Sequence, residues 1–132
     1  MKNEYYCPYC KTPLKVDEHI ILTAKSDKGK GGIVLFEPKL GDYNIIKHKE
    51  CKMSENTHVE FFCPVCNKNL SSDKKNLAEI LLIDREGDEY QVCFSEIIGE
   101  QATYKIKAGK VFGAYGDDQA KYVNYFGTVP EY

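Results

Sequence analysis

The sequence predicts a mainly β protein, a β-rich α+β chain carrying one or two short helices. Three observations support this. Short apolar segments alternate with polar residues at the two-residue period of half-buried strands. Clusters of Gly, Asp, Asn and Ser separate those segments at short intervals, as hairpin connections do. One motif built around a cysteine pair occurs twice without gaps, from Tyr5 to Leu14 and again from Phe61 to Leu70.

Taken in order, Glu18–Ala24 and Ile33–Glu37 are rich in Ile, Leu and Val and read as strands. The polar, glycine-rich run of residues 25–32 between them reads as a hairpin loop; it lacks the Gly-Lys-Ser/Thr ending of a phosphate loop. Tyr43–Lys47 follows a Gly41-Asp42 turn as a third strand, and Val59–Phe62 leads into the second copy of the motif. Ser71-Ser72-Asp73 is a candidate helix cap. Leu77–Ile83 fits either a helix or a buried strand, and its neighbours favour a strand. The turn Asp84–Glu89 joins it to Tyr90–Phe94, which alternates cleanly. Thr103–Lys107, a turn at Gly109 and Val111–Tyr115 give another hairpin, after which Asp117 or Asp118 can cap a short helix through Phe126, stopped by Gly127.

A chain of 132 residues is the size of one domain and buries about two-thirds of its unfolded surface. With 42% hydrophobic residues and a formal net charge of −2, it is neither a disordered chain nor a strongly basic nucleic-acid binder. Charge is uneven: residues 1–70 sum to +2 and residues 71–132 to −4. No stretch approaches the roughly 20 apolar residues of a membrane span, and the N-terminus lacks the apolar core of a signal peptide. The expectation is a cytoplasmic protein without a membrane partner, in a reducing compartment where closely spaced cysteines serve metal or redox chemistry.

Both copies of the motif read aromatic, aromatic, Cys-Pro-x-Cys, three mostly polar residues, Leu. Two residues between cysteines make a tight turn that aims both sulfurs at one point, the geometry of tetrahedral zinc sites. Proline after the first cysteine sets φ for the turn, and a residue tolerating positive φ is favoured after the second; Asn67 suits that position better than Lys11.

These residues resemble the zinc-ribbon superfamily, and more distantly rubredoxin. The likeness covers only the two motif segments, 5–14 and 61–70, and the rest of the chain is similar to a bacterial zinc-ribbon family of unassigned activity. The resemblance implies zinc-ribbon-type knuckles bridging a β-sheet domain, with Cys7, Cys10, Cys63 and Cys66 holding one zinc per chain. The departure is the spacer between Cys10 and Cys63, far longer than in a compact ribbon, which must be a folded insertion. Iron is less expected, because Lys11 and Asn67 stand where rubredoxin knuckles carry glycine. The expected organisation is one zinc-stapled domain over 1–132: knuckles at 5–14 and 61–70, a β insertion over 15–60, then β hairpins and a short C-terminal helix over 71–132.

Rival readings use the same residues. Cys7-Pro8-Tyr9-Cys10 is similar to the active-site tetrapeptide of glutaredoxins, and Thr128-Val129-Pro130 to their substrate-binding turn. A thioredoxin-type site needs a helix directly after the motif to lower the first thiol's pKa, and Pro13 opposes one. His48 and Cys51 have ligand spacing, but they sit among Lys47, Lys49 and Lys52, which repel cations. Cys93 shares a strand face with Gln91 and Ser95 and has no evident partner; His19 and His58 have no ligand-spaced companion. No nucleophile–histidine–acid arrangement is discernible, so no enzyme is expected. The expected role is a structural zinc in a protein-interaction or regulatory domain. The alternatives are a nucleic-acid-binding zinc ribbon, supported by lysines and ten tyrosines but opposed by the charge, and a glutaredoxin-like redox protein.

Overall fold

The structure, a computed structural model, describes residues 4–26, 31–38, 45–47, 57–74, 76–98, 100–116 and 118. These form ten strands: β1 (Glu4–Tyr6), β2 (Lys15–Val16), β3 (His19–Ser26), β4 (Gly31–Phe36), β5 (Ile45–Lys47), β6 (Val59–Phe62), β7 (Leu77–Ile83), β8 (Glu89–Ser95), β9 (Thr103–Lys107) and β10 (Lys110–Tyr115). All pairings are antiparallel. One sheet runs β1-β7-β8-β9-β10; the other runs β2-β3-β4-β5, with β6 also on β3.

The two sheets share one core. Tyr5, Ala78, Ile80, Leu82 and Val92 of the first pack with Ile20, Leu22, Ala24, Val34, Val59 and Phe61 of the second. Alternation explains the partition: in β3 the residues Ile20, Leu22 and Ala24 are buried while Ile21, Thr23 and Lys25 are not. Three aromatic rings tie the layers, with Phe61 centroids 5.5 Å from Phe36 and 5.4 Å from Phe94. A second cluster of Leu77, Cys93, Ala102, Tyr104, Ile106 and Ala114 lies on the other face of the first sheet.

The hairpin chemistry follows from particular residues. Ala108 (φ 52°) and Gly109 (φ 78°) are both left-handed, the two-residue turn whose twist matches that of β9 and β10. Asp84 closes the β7–β8 turn by accepting the Glu86 and Asp88 backbone N–H groups on its carboxylate. Gly31 is required where β4 crosses β3, because a Cβ there would stand 2.0 Å from the Ala24 carbonyl oxygen.

Leu77–Ile83 is a strand, buried on both faces between β1 and β8. One expectation changes. No helix occurs among the described residues: in the Ser71–Asp73 stretch Ser71 bridges Ala78 and Asp73 lies in a bend. There Ser72 Oγ accepts the Lys74 N–H and donates to the Leu77 carbonyl, so the side chain closes a turn instead of capping a helix. The helix expected through Phe126 lies outside the described residues beyond Asp118, as do His48 and Cys51. Asp118 pairs with Gln101 in both directions, through its N–H and its carboxylate.

A buried carboxylate anchors the start of β6 to the first sheet. Glu96 accepts from Ser71 Oγ at 2.6 Å and lies 3.2 Å from His58 Nε2, while its backbone carbonyl accepts the Val59 N–H. A buried carboxylate persists only with such partners.

Candidate metal centre

Each cysteine pair sits at the tip of a hairpin. In the first, the chain leaves β1 at Tyr6, turns through Cys7–Cys10 and returns to pair at Pro13; in the second it leaves β6 at Phe62 and returns at Asn69. Within the turns, the Lys11 N–H bonds to the Cys7 carbonyl and the Asn67 N–H to the Cys63 carbonyl, both at 3.0 Å. Lys11 (φ 61°) and Asn67 (φ 62°) are left-handed, as a residue following each knuckle must be. Lysine carries the cost of its Cβ there, about 1–2 kcal/mol, which asparagine partly offsets by local hydrogen bonding. Lys11→Gly is accordingly expected to raise stability by about 0.5–1 kcal/mol in thermal unfolding of the metal-loaded protein; a loss would show that the lysine side chain is needed for something else.

The fold brings all four sulfurs together, their Sγ atoms lying within 4.8 Å of one another. Cys7 Sγ is 3.8 Å from Cys66 Sγ, and Cys10 Sγ is 3.7 Å from Cys63 Sγ. A tetrahedron with metal–sulfur bonds of about 2.3 Å has sulfur–sulfur edges of about 3.8 Å. The group therefore has the donor type, number and spacing of a four-thiolate site that could hold a metal ion.

The backbone is arranged for negative sulfur. Cys7 Sγ accepts the N–H groups of Tyr9 (3.4 Å) and Cys10 (3.5 Å), and Cys63 Sγ accepts those of Val65 (3.4 Å) and Cys66 (3.5 Å). Cys7 and Cys63 are fully buried, whereas Cys10 is exposed and Cys66 partly so. Burial pushes the Cys63 thiol up to about 12, against the opposing backbone N–H groups of Cys66 and Val65. Cys66 is held below the ordinary thiol value, chiefly by the Lys68 backbone N–H. A divalent ion held there would reverse the penalty at Cys63, because its charge would replace the thiol protons.

Cys93 is a different kind of thiol. It is buried in β8, its Sγ 4.0 Å from Glu79 Oε1, and burial pushes it up to about 12. Native protein treated with iodoacetamide near pH 8 is expected to leave Cys93 unmodified, because the neutral thiol is a poor nucleophile and is shielded. Peptide mass spectrometry reads this directly, and rapid labelling without unfolding would contradict it. Glu79 itself is raised above the usual carboxylate range, mainly by burial, with Lys74 opposing. Because the folded state holds this proton more tightly, the group favours folding at acid pH, and that contribution fades as pH rises through the raised value. Glu79→Gln is expected to raise the melting temperature by roughly 1–3 °C at pH 7 and to lose that advantage below pH ~4.

Other groups near the knuckles carried no sequence signal. Lys68 Nζ lies 5.9 Å from the Tyr9 ring centroid, linking the hairpins across the site. Tyr9 and Lys68 belong to different copies of the motif, so only the folded chain pairs them. His19 faces Glu37 at 3.6 Å and His58 faces Glu96, and neither belongs to the sulfur group. After Cys10 the chain passes through Thr12 to the Pro13 bridge without a helix, so the arrangement that activates a thioredoxin-type thiol is not formed there.

No helix among the described residues is long and apolar enough to cross a membrane. The chain matches no protein-family model, no curated protein and no solved structure.

Proposed function

We propose that Cys7, Cys10, Cys63 and Cys66 hold one zinc ion per chain, that this zinc is structural, and that the chain forms one zinc-stapled domain acting through protein partners and not through catalysis. The observation carrying the reading is the convergence of four sulfurs at tetrahedral spacing from two hairpins distant in sequence. Four thiolates complete zinc's coordination and leave no open position for substrate. Soft thiolate donors favour zinc or iron over the hard ions magnesium and calcium; the non-glycine residues after each knuckle weigh toward zinc.

An apolar surface supports the protein-partner role. Val16, Ile33 and Ile46 share the face of the β2–β5 sheet turned away from the core and are each more than half exposed. A net charge of −2 weighs against nucleic acid as the partner. Native mass spectrometry of protein expressed with both metals available is expected to find one zinc per chain; iron, or no metal, would overturn the assignment. For the partner, capture experiments comparing the native chain with Ile33→Asp are expected to lose specific proteins with the variant. A salt-sensitive gel shift with single- or double-stranded nucleic acid would replace this role with the nucleic-acid one.

A further inference from the structure

We infer that the chain is a tandem duplication of one unit, with β1, β3, β4 and β5 answering to β6, β7, β8 and β9, and that the two copies exchange their cysteine hairpins so that the metal centre lies on the axis relating them. Among the described residues, the backbone bonds that set the knuckles and the strand register recur in the two halves. In the knuckles Tyr5 answers to Phe61, and the same offset holds at every position through Leu14 and Leu70. The Leu14 N–H to Tyr5 carbonyl bond recurs as Leu70 to Phe61, both 2.8 Å, and Cys7 N–H to Thr12 recurs as Cys63 to Lys68. The equivalence begins just before the aromatic pair, at Glu4 and Glu60, and both acids bind their own hairpin, through Lys15 and Asn69 respectively.

Beyond the knuckles the same equivalence continues with a slightly larger offset, Val34 answering to Val92. The Ile21 N–H to Leu14 carbonyl bond becomes Glu79 to Leu70. The pairing Phe36 with Ile20 in β3–β4 becomes Phe94 with Ala78 in β7–β8, and Leu35 with Ile46 becomes Cys93 with Tyr104. The change of offset falls in a turn: Asp17 and Glu18 link β2 to β3, whereas the longer run 73–76 links the equivalent segment to β7. A register preserved on both sides of a turn insertion is what two copies of one fold produce, since a slip of one residue would reverse every face.

The exchange obeys the same rule. β1 lies on β7 with Tyr5 opposite Leu82, and β6 lies on β3 with Phe61 opposite Ala24, so each copy's leading strand completes the other copy's sheet. The short sulfur contacts also map onto each other, Cys7 to Cys66 and Cys63 to Cys10, each pairing one knuckle's first cysteine with the other's second. Interior positions keep their character between copies: Leu14 and Leu70, Leu22 and Ile80, Val34 and Val92, Phe36 and Phe94. Outer-face positions do not, with Val16, Ile21 and Ile33 answering to Ser72, Glu79 and Gln91. On this inference the segment after the first knuckle, from Lys15 to the start of β6, is the remainder of the first copy and not an insertion, and the metal centre is a dimer interface inside one chain. Only the occupant of that centre rests on the proposed zinc.

The test exchanges the two hairpins within the full-length protein. Tyr5→Phe, Tyr6→Phe, Tyr9→Val, Lys11→Asn, Thr12→Lys and Pro13→Asn are combined with the reverse changes at Phe61, Phe62, Val65, Asn67, Lys68 and Asn69. Equivalent hairpins should give a folded chain whose zinc affinity lies within about tenfold of the native value, and a loss beyond about a hundredfold would overturn the inference. Should that chain fail to fold, a second form decides the matter. A site-specific protease sequence is inserted after Lys52, and the folded, zinc-loaded chain is cut there. The two fragments are expected to elute as one particle with one zinc shared between them; separation with zinc retained on one fragment would overturn the inference. If the native chain takes up no zinc, the metal reading fails by itself. The duplication then stands if the cut fragments still elute together through β1–β7 and β6–β3, and falls if they separate.

Discussion

Cys63→Ser is expected to abolish metal binding and, with it, the cooperative unfolding transition of the protein. Cys63 is fully buried, accepts two backbone N–H groups and lies 3.7 Å from Cys10 Sγ, so its loss removes a sulfur that no other group among the described residues is placed to replace. A serine hydroxyl is shorter, harder and protonated at neutral pH, and a three-sulfur site exposes the ion to water. Structural zinc contributes on the order of 10 kcal/mol to folding, and a domain of this size has about 5–15 kcal/mol in total. The two quantities are similar, so losing the ion should remove most of the stability. Native mass spectrometry should find less than about a tenth of the native zinc, and circular dichroism should show a broad, non-cooperative melt. Cys51→Ser and Cys93→Ser should retain full metal content. Stoichiometric zinc in the Cys63 variant would refute the four-cysteine site.

The second large effect is expected at Phe61. Its ring is buried in β6 and sits between Phe36 of β4 and Phe94 of β8, so one side chain joins the second hairpin to both sheets. Phe61→Ala removes that contact and leaves a cavity where close-packed neighbours relax only in part, a loss of about 3–5 kcal/mol. The edge-on contact with Phe36 and the tilted contact with Phe94 add to the upper end of that range. Urea unfolding of metal-saturated protein should show a large fall in midpoint with little change in slope. Phe61→Leu, which refills much of the space, should lose far less. A cost below about 1 kcal/mol for the alanine variant would mean that the three rings do not form the link between layers.

How far the chain could be read before folding is clear from particular residues. Strands such as Thr103–Lys107 and Val59–Phe62 are legible because a two-residue period is local physics: one face is buried, and every second side chain reports it. Leu77–Ile83 is harder, since a strand buried on both faces loses the alternation, and only its length and flanking turns separate it from a helix. Ser71–Asp73 misled because serine and aspartate close turns by the same hydrogen bonds with which they cap helices. The Cys-Pro-x-Cys pairs were legible as a candidate metal site because the geometry that aims two sulfurs at one point fits within a single tight turn.

Glu96, buried against Ser71 and His58, had no signal at all, since its partners are 25 and 38 residues away. The same holds for the exchange of leading strands. Nothing local in Glu4-Tyr5-Tyr6 says that its ladder partner is Ile83-Leu82-Leu81, when the chain's own third strand is nearer in sequence. The amino-acid sequence by itself marked most of the strands, the two knuckles and the four sulfurs, because each depends on contacts within a few residues. Only the tertiary structure decided which sheet each hairpin joins and that the four sulfurs meet. Strand edges are chemically alike, and the choice among them belongs to the shared core, where Tyr5 and Phe61 are buried together.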